Sequence, residues 1–148
     1  MKFDRNASSG YMTNWAARLF AKAIDTRLKP IGLSSGYMPV IFALANGAEL
    51  SQRALTEQAA IEQPTMAATL SRMERDGLVV RRADPEDRRS ALFRLSPLGL
   101  EKTAKVKEAG RDVNAVAMAG LTEPERNAYV AALGTIVRNL EASLDAPD

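Results

Sequence analysis

The sequence predicts a mainly α-helical chain with one small β-hairpin, which places it in the α+β class. Two observations support this prediction. Apolar residues recur three and four positions apart through most of the 148 residues, as they do on the buried face of an α-helix. Two short segments rich in β-forming residues, at 78–82 and 90–95, flank a turn sequence and indicate two short strands.

The first two helices are bounded by clear start and stop signals. Apolar residues at helical spacing predict a helix over 11–29, preceded by a polar arm and ended by Pro30 and Gly32. A second helix follows Ser34 or Ser35 and runs to about residue 45. Pro39 lies within it, where it causes a small loss in the first turn or a kink if it lies deeper.

A pair of short helices is predicted next. Ser51 suits the N-cap of a helix through Ala59, and Pro64 suits the first turn of a helix that ends near Asp76. Gly77 follows where a helix C-terminus favours glycine. Two short helices joined by a brief turn are the outline of a helix-turn-helix, although many helical domains contain such pairs.

The strands that follow complete a winged helix-turn-helix. Residues 84–87 provide the turn between the two strands, so the hairpin forms a wing directly after the helix pair. Ser96 and Pro97 then begin a long helix to about residue 120, and Thr122 with Glu125 forms a capping box for the last one. We expect three parts: an N-terminal arm and helix (1–30), a winged helix-turn-helix domain (31–96) and C-terminal helices (97–148).

The composition excludes several classes of protein. With no cysteine and no histidine, the chain has no disulfide, no thiol nucleophile and none of the usual zinc ligands, so we expect no metal and no cofactor. The longest apolar run, residues 38–45, is too short for a membrane span. These observations predict a cytoplasmic protein with no membrane partner.

The helix that opens at Pro64 offers a polar face to a partner. Hydroxyl, amide and guanidinium groups can hydrogen bond to base edges in the major groove of DNA, and the N-terminus of such a helix enters the groove. An ordinary solvated helix face is the alternative. The candidate DNA-binding residues on this helix are Gln63, Pro64, Thr65, Ala68, Thr69 and Arg72, whereas Ala67 is assigned with Met66, Leu70 and Met73 to the inward face.

The wing carries a second group of candidates. An arginine inserted in a minor groove is favoured by its negative potential, so Arg88 and Arg89 at the tip are candidate minor-groove or phosphate contacts, with Asp87 orienting Arg89. A mixed-charge, solvated turn is the alternative. The candidate phosphate contacts are Ser51, Arg81, Arg82 and Arg94.

Aromatic and methionine side chains cluster in the first two helices. Core packing is the favoured explanation, and a pocket for a small aromatic effector is the functional alternative. The candidate pocket residues are Tyr11, Trp15, Arg18, Tyr37, Met38 and Arg53.

Residues 50–100 resemble the MarR/SlyA family of bacterial regulators. Residues 61–79 resemble the recognition helix of that family, the Asp-Pro-Glu-Asp-Arg-Arg tip at 84–89 resembles its wing, and the Leu-Ser-Pro-Leu-Gly segment at 95–99 resembles the start of its fifth helix. Two positions depart from the family pattern. Ala68 stands where close relatives can carry arginine, and Pro39 stands where the second helix usually has an ordinary helix former.

The resemblance implies a homodimer of winged-helix protomers on the double-stranded DNA of a palindromic operator, in most members as a repressor. It places Pro64, Thr65, Ala68 and Thr69 where members touch bases, Arg89 at the wing arginine and Asp87 at its partner. The terminal helices would form the dimer interface. A phenolic or other lipophilic anion would release the DNA.

Two other classes of function stay open at this point. A winged-helix protein-interaction module without DNA binding would carry the same elements. A carboxylate-only enzyme is a remote option, because acidic pairs such as Glu123 with Glu125 fall at helix starts, where capping explains them.

Overall fold

The computed structural model describes residues 4–146, and it consists of six helices, three short strands and three single-turn 3-10 helices. The arm and the C-terminal segment predicted from the sequence therefore lie partly outside the described residues, at 1–3 and 147–148. The main elements are α1 (Ser9–Leu28), α2 (Met38–Leu44), β1 (Leu50–Ser51), α3 (Gln52–Ala59), α4 (Gln63–Arg75), β2 (Val79–Ala83), β3 (Ala91–Leu95), α5 (Pro97–Ala117) and α6 (Glu123–Asp145).

The contacts divide the chain into two compact units on either side of the Val113–Asn114 bond. The first unit holds α1 to α4, the sheet and most of α5, whereas the second holds α6. Within the described residues, no helix is both long and apolar enough to cross a membrane.

The segment before α1 is more ordered than the predicted polar arm. The Asp4 side chain accepts a hydrogen bond from the amide of Asn6 and caps a 3-10 turn over Arg5–Ala7. The Ser8 hydroxyl then caps α1, which begins at Ser9 rather than near residue 11. Both caps satisfy backbone amides that a helix start leaves without partners.

Pro39 does not kink the second helix. Ser34 caps a 3-10 turn over Ser35–Tyr37, and α2 begins only after it, at Met38. Pro39 therefore occupies the first turn of α2, where its missing N–H has no helical acceptor to lose. The predicted helix is shorter than expected because the 3-10 turn takes its first residues.

The helix-turn-helix forms as the capping residues predict. The Ser51 hydroxyl accepts from the amide of Ala54 and starts α3, and Pro64 lies in the first turn of α4. Ala60 turns the chain between the two helices with φ of 49°, and Gly77 ends α4 with φ of 73°. The confirmed boundaries reflect local caps, which are visible in the sequence.

The wing is an antiparallel two-stranded ribbon, β2 with β3, in a three-stranded sheet of order β1-β3-β2. Its register pairs Val79 with Leu95 and Ala83 with Ala91, while the two residues of β1 pair with Phe93 and Leu92. The sequence predicted β2 and β3 but not β1, since a two-residue strand has no periodicity. Phe93 and Leu95 face the core of the first unit.

The start of α5 locks the wing to the end of α4. The Ser96 hydroxyl donates to the carbonyl of Gly77 at 2.6 Å and accepts from the amide of Gly99 at 3.0 Å. The Ser96 amide donates to the carbonyl of Leu78 at 2.9 Å. α5 lies so close here that a Cβ on Gly99 would come within 2.2 Å of the Leu78 oxygen. This contact fixes where the hairpin leaves the helix-turn-helix.

α6 begins at the predicted capping box. The Glu125 carboxylate accepts from the amide of Thr122 at 2.7 Å, and the Thr122 hydroxyl accepts from the amide of Glu125. The hydrogen bonds that the Glu125 carboxylate accepts from the backbone amide and the hydroxyl of Thr122 hold the pKa of Glu125 below its usual value. None of the α6 side chains is buried within this chain, and large apolar ones are exposed at Val130, Val137, Leu140 and Leu144.

Candidate nucleic-acid interface

α4 presents a continuous exposed face. Its buried side is formed by Met66, Leu70 and Met73, which join the core of the first unit. On the exposed side lie five of the six residues predicted to read DNA, namely Gln63, Pro64, Thr65, Ala68 and Arg72. Their common exposure leaves this face of the helix accessible to a groove.

The predicted position of Thr69 on the exposed face is wrong. Its side chain is 3% exposed, because residue 69 lies three positions from Met66 and four from Met73 and thus on the buried stripe. Its hydroxyl faces Arg72 Nη2 at 3.4 Å. Ala67, which was assigned inward, is exposed instead, as is Ser71, which the sequence analysis did not single out. Spacing from the two methionines was the available signal, and side-chain polarity was misleading.

The wing tip exposes two arginines. Arg88 and Arg89 are exposed, and neither forms an ion pair with another residue of the described chain. The Asp87 carboxylate was predicted to orient the Arg89 guanidinium, but it accepts from the Arg89 backbone amide at 3.0 Å. Asp84 makes the same kind of bond to the amide of Glu86. The two aspartates therefore shape the backbone of the tip, where both arginines are exposed.

The candidate phosphate contacts at the base of the wing lie on two faces of the sheet. Strand alternation places Arg81 on the side of Phe93, where its Nε lies 3.1 Å from a carboxylate oxygen of Glu74 on α4. Arg82 and Arg94 lie on the opposite side. The three arginines therefore do not form one patch.

Glu49 lies between Arg82 and Arg94 on that face of the sheet and contacts both. Its carboxylate accepts two hydrogen bonds from Arg82, at 2.6 and 2.7 Å, and lies 4.0 Å from Arg94 Nε. Hydrogen bonding to Arg82 holds the pKa of Glu49 below its usual value. Bidentate geometry makes this the most specific ion pair of the sheet. The pair attaches β2 to the residue before β1 and so supports the wing at its base.

Ser51 has a structural role of its own. Its hydroxyl caps α3, as described above, and the residue is half-buried. The neighbouring side chain, Gln52, reaches from the first turn of α3 to the first turn of α4, where its Nε2 donates to Gln63 Oε1 at 3.1 Å. Gln63 was predicted as a site residue and Gln52 was not, because nothing in the sequence indicates which side chains meet across the turn.

The six residues of the predicted effector pocket contact different parts of the structure. Tyr11 packs edge-on against Trp15, while Tyr37 is buried and its hydroxyl donates to Asp76 at 2.7 Å. Arg53 pairs with Glu57 on α3. The half-buried Met38 packs against the core, and Arg18 lines a shallow cavity along α1 together with Lys22 and Asp25. Of the six residues, only Arg18 lines this cavity.

The Tyr37–Asp76 hydrogen bond braces the C-terminal end of α4. Burial, followed by the bond to Asp76, raises the pKa of Tyr37. The hydrogen bonds from Tyr37 and Arg75 lower the pKa of Asp76. Replacing the tyrosine by phenylalanine should thus lower the free energy of unfolding by about 1 kcal/mol at neutral pH, measured by urea denaturation. Tyr11→Phe is the matched control, since it should change stability little.

The same variant should show a defined pH dependence. A carboxyl whose pKa is lowered by folding contributes stability above its unfolded value, here 3.8, and that contribution is lost as the pH falls through the folded value. The difference between the natural chain and Tyr37→Phe should therefore shrink at pH 3 relative to pH 7. A difference that stays constant over this range would show that the charged form of Asp76 is not what the tyrosine stabilises.

A family model described as the MarR family matches residues 31–90. Among characterised sequences, the putative transcriptional regulatory protein for the hcr operon of Thauera aromatica is 28% identical over 123 residues. That match covers 83% of this chain and 72% of the relative. The matched family segment runs from the turn after α1 to the wing tip and includes the whole helix-turn-helix.

Two solved structures share the fold. The PcaV transcriptional regulator from Streptomyces coelicolor, in complex with its natural ligand, matches with a TM-score of 0.84 at 24% identity and covers 93% of this chain and 97% of its own. The transcriptional repressor CouR, bound to a 23-mer DNA duplex, matches with a TM-score of 0.81 at 23% identity and covers 93% and 99%. The family and these relatives are transcriptional regulators and not enzymes, so the carboxylate-enzyme alternative is excluded.

Proposed function

Since the chain belongs to the MarR family of winged-helix regulators, we propose that it is a transcriptional repressor that binds a palindromic operator as a homodimer. One observation carries the DNA-binding part of this proposal. Arg81, Arg82 and Arg94 of the wing face carboxylates, whereas Arg88 and Arg89 at its tip are exposed and form no ion pair within the described residues. Exposed guanidinium groups on the wing, together with an exposed face on α4, suit a phosphate-lined duplex.

In this proposal α4 lies in the major groove with its N-terminus toward the bases. Gln63, Thr65 and Arg72 offer the polar groups, and Ser71 adds a hydroxyl on the same exposed side. Pro64 and Ala68 contribute apolar contact, which suits a thymine methyl group. Thr69 does not contact a base in this proposal, because its side chain is buried on the same side of α4 as Met66 and Met73.

The wing contacts DNA in two ways. Arg89 enters the minor groove and Arg88 lies at its edge, with the tip shaped by Asp84 and Asp87. At the base of the wing, Arg81, Arg82 and Arg94 reach phosphates by exchanging their carboxylate partners for the backbone of the duplex. Ser51 adds a backbone contact at the start of α3.

A salt series on DNA tests this function. The probe is a mixture of short genomic duplexes from the parent organism, followed by mobility shift between about 50 and 200 mM salt, over which phosphate contacts lose affinity steeply. We expect a retained fraction for which the logarithm of the binding constant falls linearly with the logarithm of the salt concentration. The alternative, a protein-interaction module with a winged-helix fold, predicts no retention at any of these concentrations and would be supported by that result.

We also propose that the terminal helices, within 1–30 and 97–148, form the dimer interface, leaving 31–96 to contact DNA. The exposed apolar residues of α6 support this assignment, because large apolar patches on a chain of this size mark interaction surfaces. The interface contains the row Tyr129, Leu133, Ile136, Val137, Leu140 and Leu144.

Replacing Leu140 by aspartate should dissociate the dimer. Leu140 is 59% exposed in the single chain, and a second copy would bury it, so an introduced carboxylate would be buried without a partner at a cost of several kcal/mol. Light scattering should then give the mass of one chain. Asn139→Asp, which adds the same charge at the next position, is the control and should leave the dimer intact. An unchanged mass for Leu140→Asp would place the interface elsewhere.

Release by a small aromatic or lipophilic anion completes the proposed function. Its support is the aromatic surface of Tyr11 and Trp15 on α1, with Arg18 one turn further along the same helix. Tyr37 and Arg53 are less suited to the ligand, because both side chains already have carboxylate partners. A titration of the protein–DNA complex with aromatic carboxylates, followed by mobility shift, tests for release.

A further inference from the structure

We propose that Gln52 is a specificity-determining positioning residue that fixes the amide of Gln63 for an adenine in the major groove. The inference rests on the DNA-binding function proposed above. Gln52 is the first residue of α3 and Gln63 the first residue of α4, eleven positions later. The turn between the helices brings their side chains together, and Gln52 Nε2 donates to Gln63 Oε1 at 3.1 Å.

This hydrogen bond determines which groups Gln63 can still offer. A glutamine carbonyl oxygen accepts two hydrogen bonds and the amide nitrogen donates two. With one acceptor position of Gln63 taken by Gln52, one acceptor position and both N–H groups remain. The bond also couples the orientations of the two amides, because turning the Gln63 amide round while the Gln52 amide keeps its orientation would place two donors against each other.

A fixed donor and acceptor side by side complement adenine. The major-groove edge of adenine presents the N6 amino donor next to the N7 acceptor, whereas guanine presents two acceptors, O6 and N7. An amide that can turn freely can direct its N–H groups at guanine, but an amide held by Gln52 keeps its oxygen where the guanine O6 would lie. Gln52 thus favours adenine over guanine without touching either base.

The surroundings of Gln52 keep its side chain in place. The residue is half-buried and lines a cleft of about 140 Å³ between α3, α4 and the sheet, together with Ala67, Ser71 and Phe93. Gln63, in contrast, is exposed at the end of α4 that enters the groove. One glutamine is therefore held by the fold and the other is available to the base, which is the arrangement a positioning pair requires.

Selection from a random duplex library tests this role. Duplexes with a randomised central segment are selected by the natural chain and by Gln63→Ala, Gln52→Ala, Gln52→Glu and Gln58→Ala, and the selected pools are sequenced. The readout is the ratio of adenine to guanine at each position, which cancels changes in overall affinity. Gln52→Glu keeps the side-chain length but can only accept, so it turns the Gln63 amide round. Gln58 is an exposed glutamine on the same helix with no side-chain hydrogen bond in the described chain.

We expect the natural chain and Gln58→Ala to enrich adenine at one position in each half-site. Gln63→Ala should lower that ratio by about 5- to 150-fold, the discrimination given by a bidentate contact. Gln52→Ala and Gln52→Glu should lower it at the same position by about 2- to 10-fold, the range of one hydrogen bond, and should leave other positions unchanged. Circular dichroism identical to that of the natural chain verifies that each variant is folded.

The contrary outcomes separate the two proposals. If Gln63→Ala loses the adenine preference while both Gln52 variants keep it, Gln52 does not position the amide. If the natural chain selects a sequence in which Gln63→Ala changes no position, the base contact itself is wrong. A natural chain that enriches no sequence from the library contradicts sequence-specific DNA binding and this inference with it.

Discussion

Replacing Arg89 by alanine is expected to weaken binding to a selected operator duplex by about 10- to 100-fold, as removal of a charge-assisted hydrogen bond does. Arg89 is exposed at the wing tip, its guanidinium has no ion-pair partner in the described chain, and its backbone amide is held by Asp87. The variant should unfold at the same urea concentration as the natural chain, because the side chain contributes no packing. Affinity is measured by fluorescence anisotropy at one fixed salt concentration.

The control for this variant removes the same charge elsewhere. Arg111 is exposed on α5, away from α4 and the wing in the sequence, and Arg111→Ala should change affinity little. Equal losses for Arg89→Ala and Arg111→Ala would show that net charge, rather than a contact of the wing tip, determines binding. An unchanged affinity for Arg89→Ala would remove the wing tip from the interface.

Replacing Gly99 by alanine is expected to lower the free energy of unfolding by about 3 kcal/mol, at the upper end of the cost of overpacking. The added Cβ would lie 2.2 Å from the Leu78 carbonyl oxygen and 3.2 Å from a Leu95 methyl group. The carbonyl cannot move away freely, since it accepts the hydrogen bond of the Ser96 amide. Urea denaturation measures the loss.

Gly110→Ala is the matched control on the same helix. A Cβ at Gly110 would meet only the Met38 methyl group, at 4.0 Å, and alanine is the better helix former by about 0.5–1 kcal/mol. This variant should be as stable as the natural chain or more so. If Gly99→Ala is also no less stable than the natural chain, the close approach of α5 to the wing is not a feature of the folded protein.

The features that the sequence predicts well are those with local causes. Ser51, Gly77 and the Thr122–Glu125 box act on the residues beside them, so α3, α4 and the start of α6 fall where the caps place them. The hairpin strands follow from the turn at 84–87. Pro39 differs from these, because its place in the first turn of α2 depends on the 3-10 turn over Ser35–Tyr37, which the sequence does not predict.

The features that the sequence does not predict depend on which side chains meet across the fold. Three examples are the burial of Thr69, the hydrogen bond between Gln52 and Gln63, and the ion pair between Glu49 and Arg82. Each depends on helix rotation or strand pairing, which determines the neighbours of a side chain. The hydrogen bond of Tyr37 to Asp76 and the ion pair of Arg53 with Glu57 likewise could not be predicted from the spacing of aromatic residues. Polarity and spacing identified most of the exposed residues of α4 but not their partners.

Chemical footprinting of a selected duplex tests the proposed mode of DNA binding most directly. Dimethyl sulfate methylates guanine N7 in the major groove and adenine N3 in the minor groove, so it reports on α4 and the wing in one experiment. The proposal predicts two protected major-groove segments about 10 base pairs apart, centre to centre, with minor-groove protection that is lost in Arg89→Ala. Binding that protects a single segment, or that protects neither groove, would contradict it.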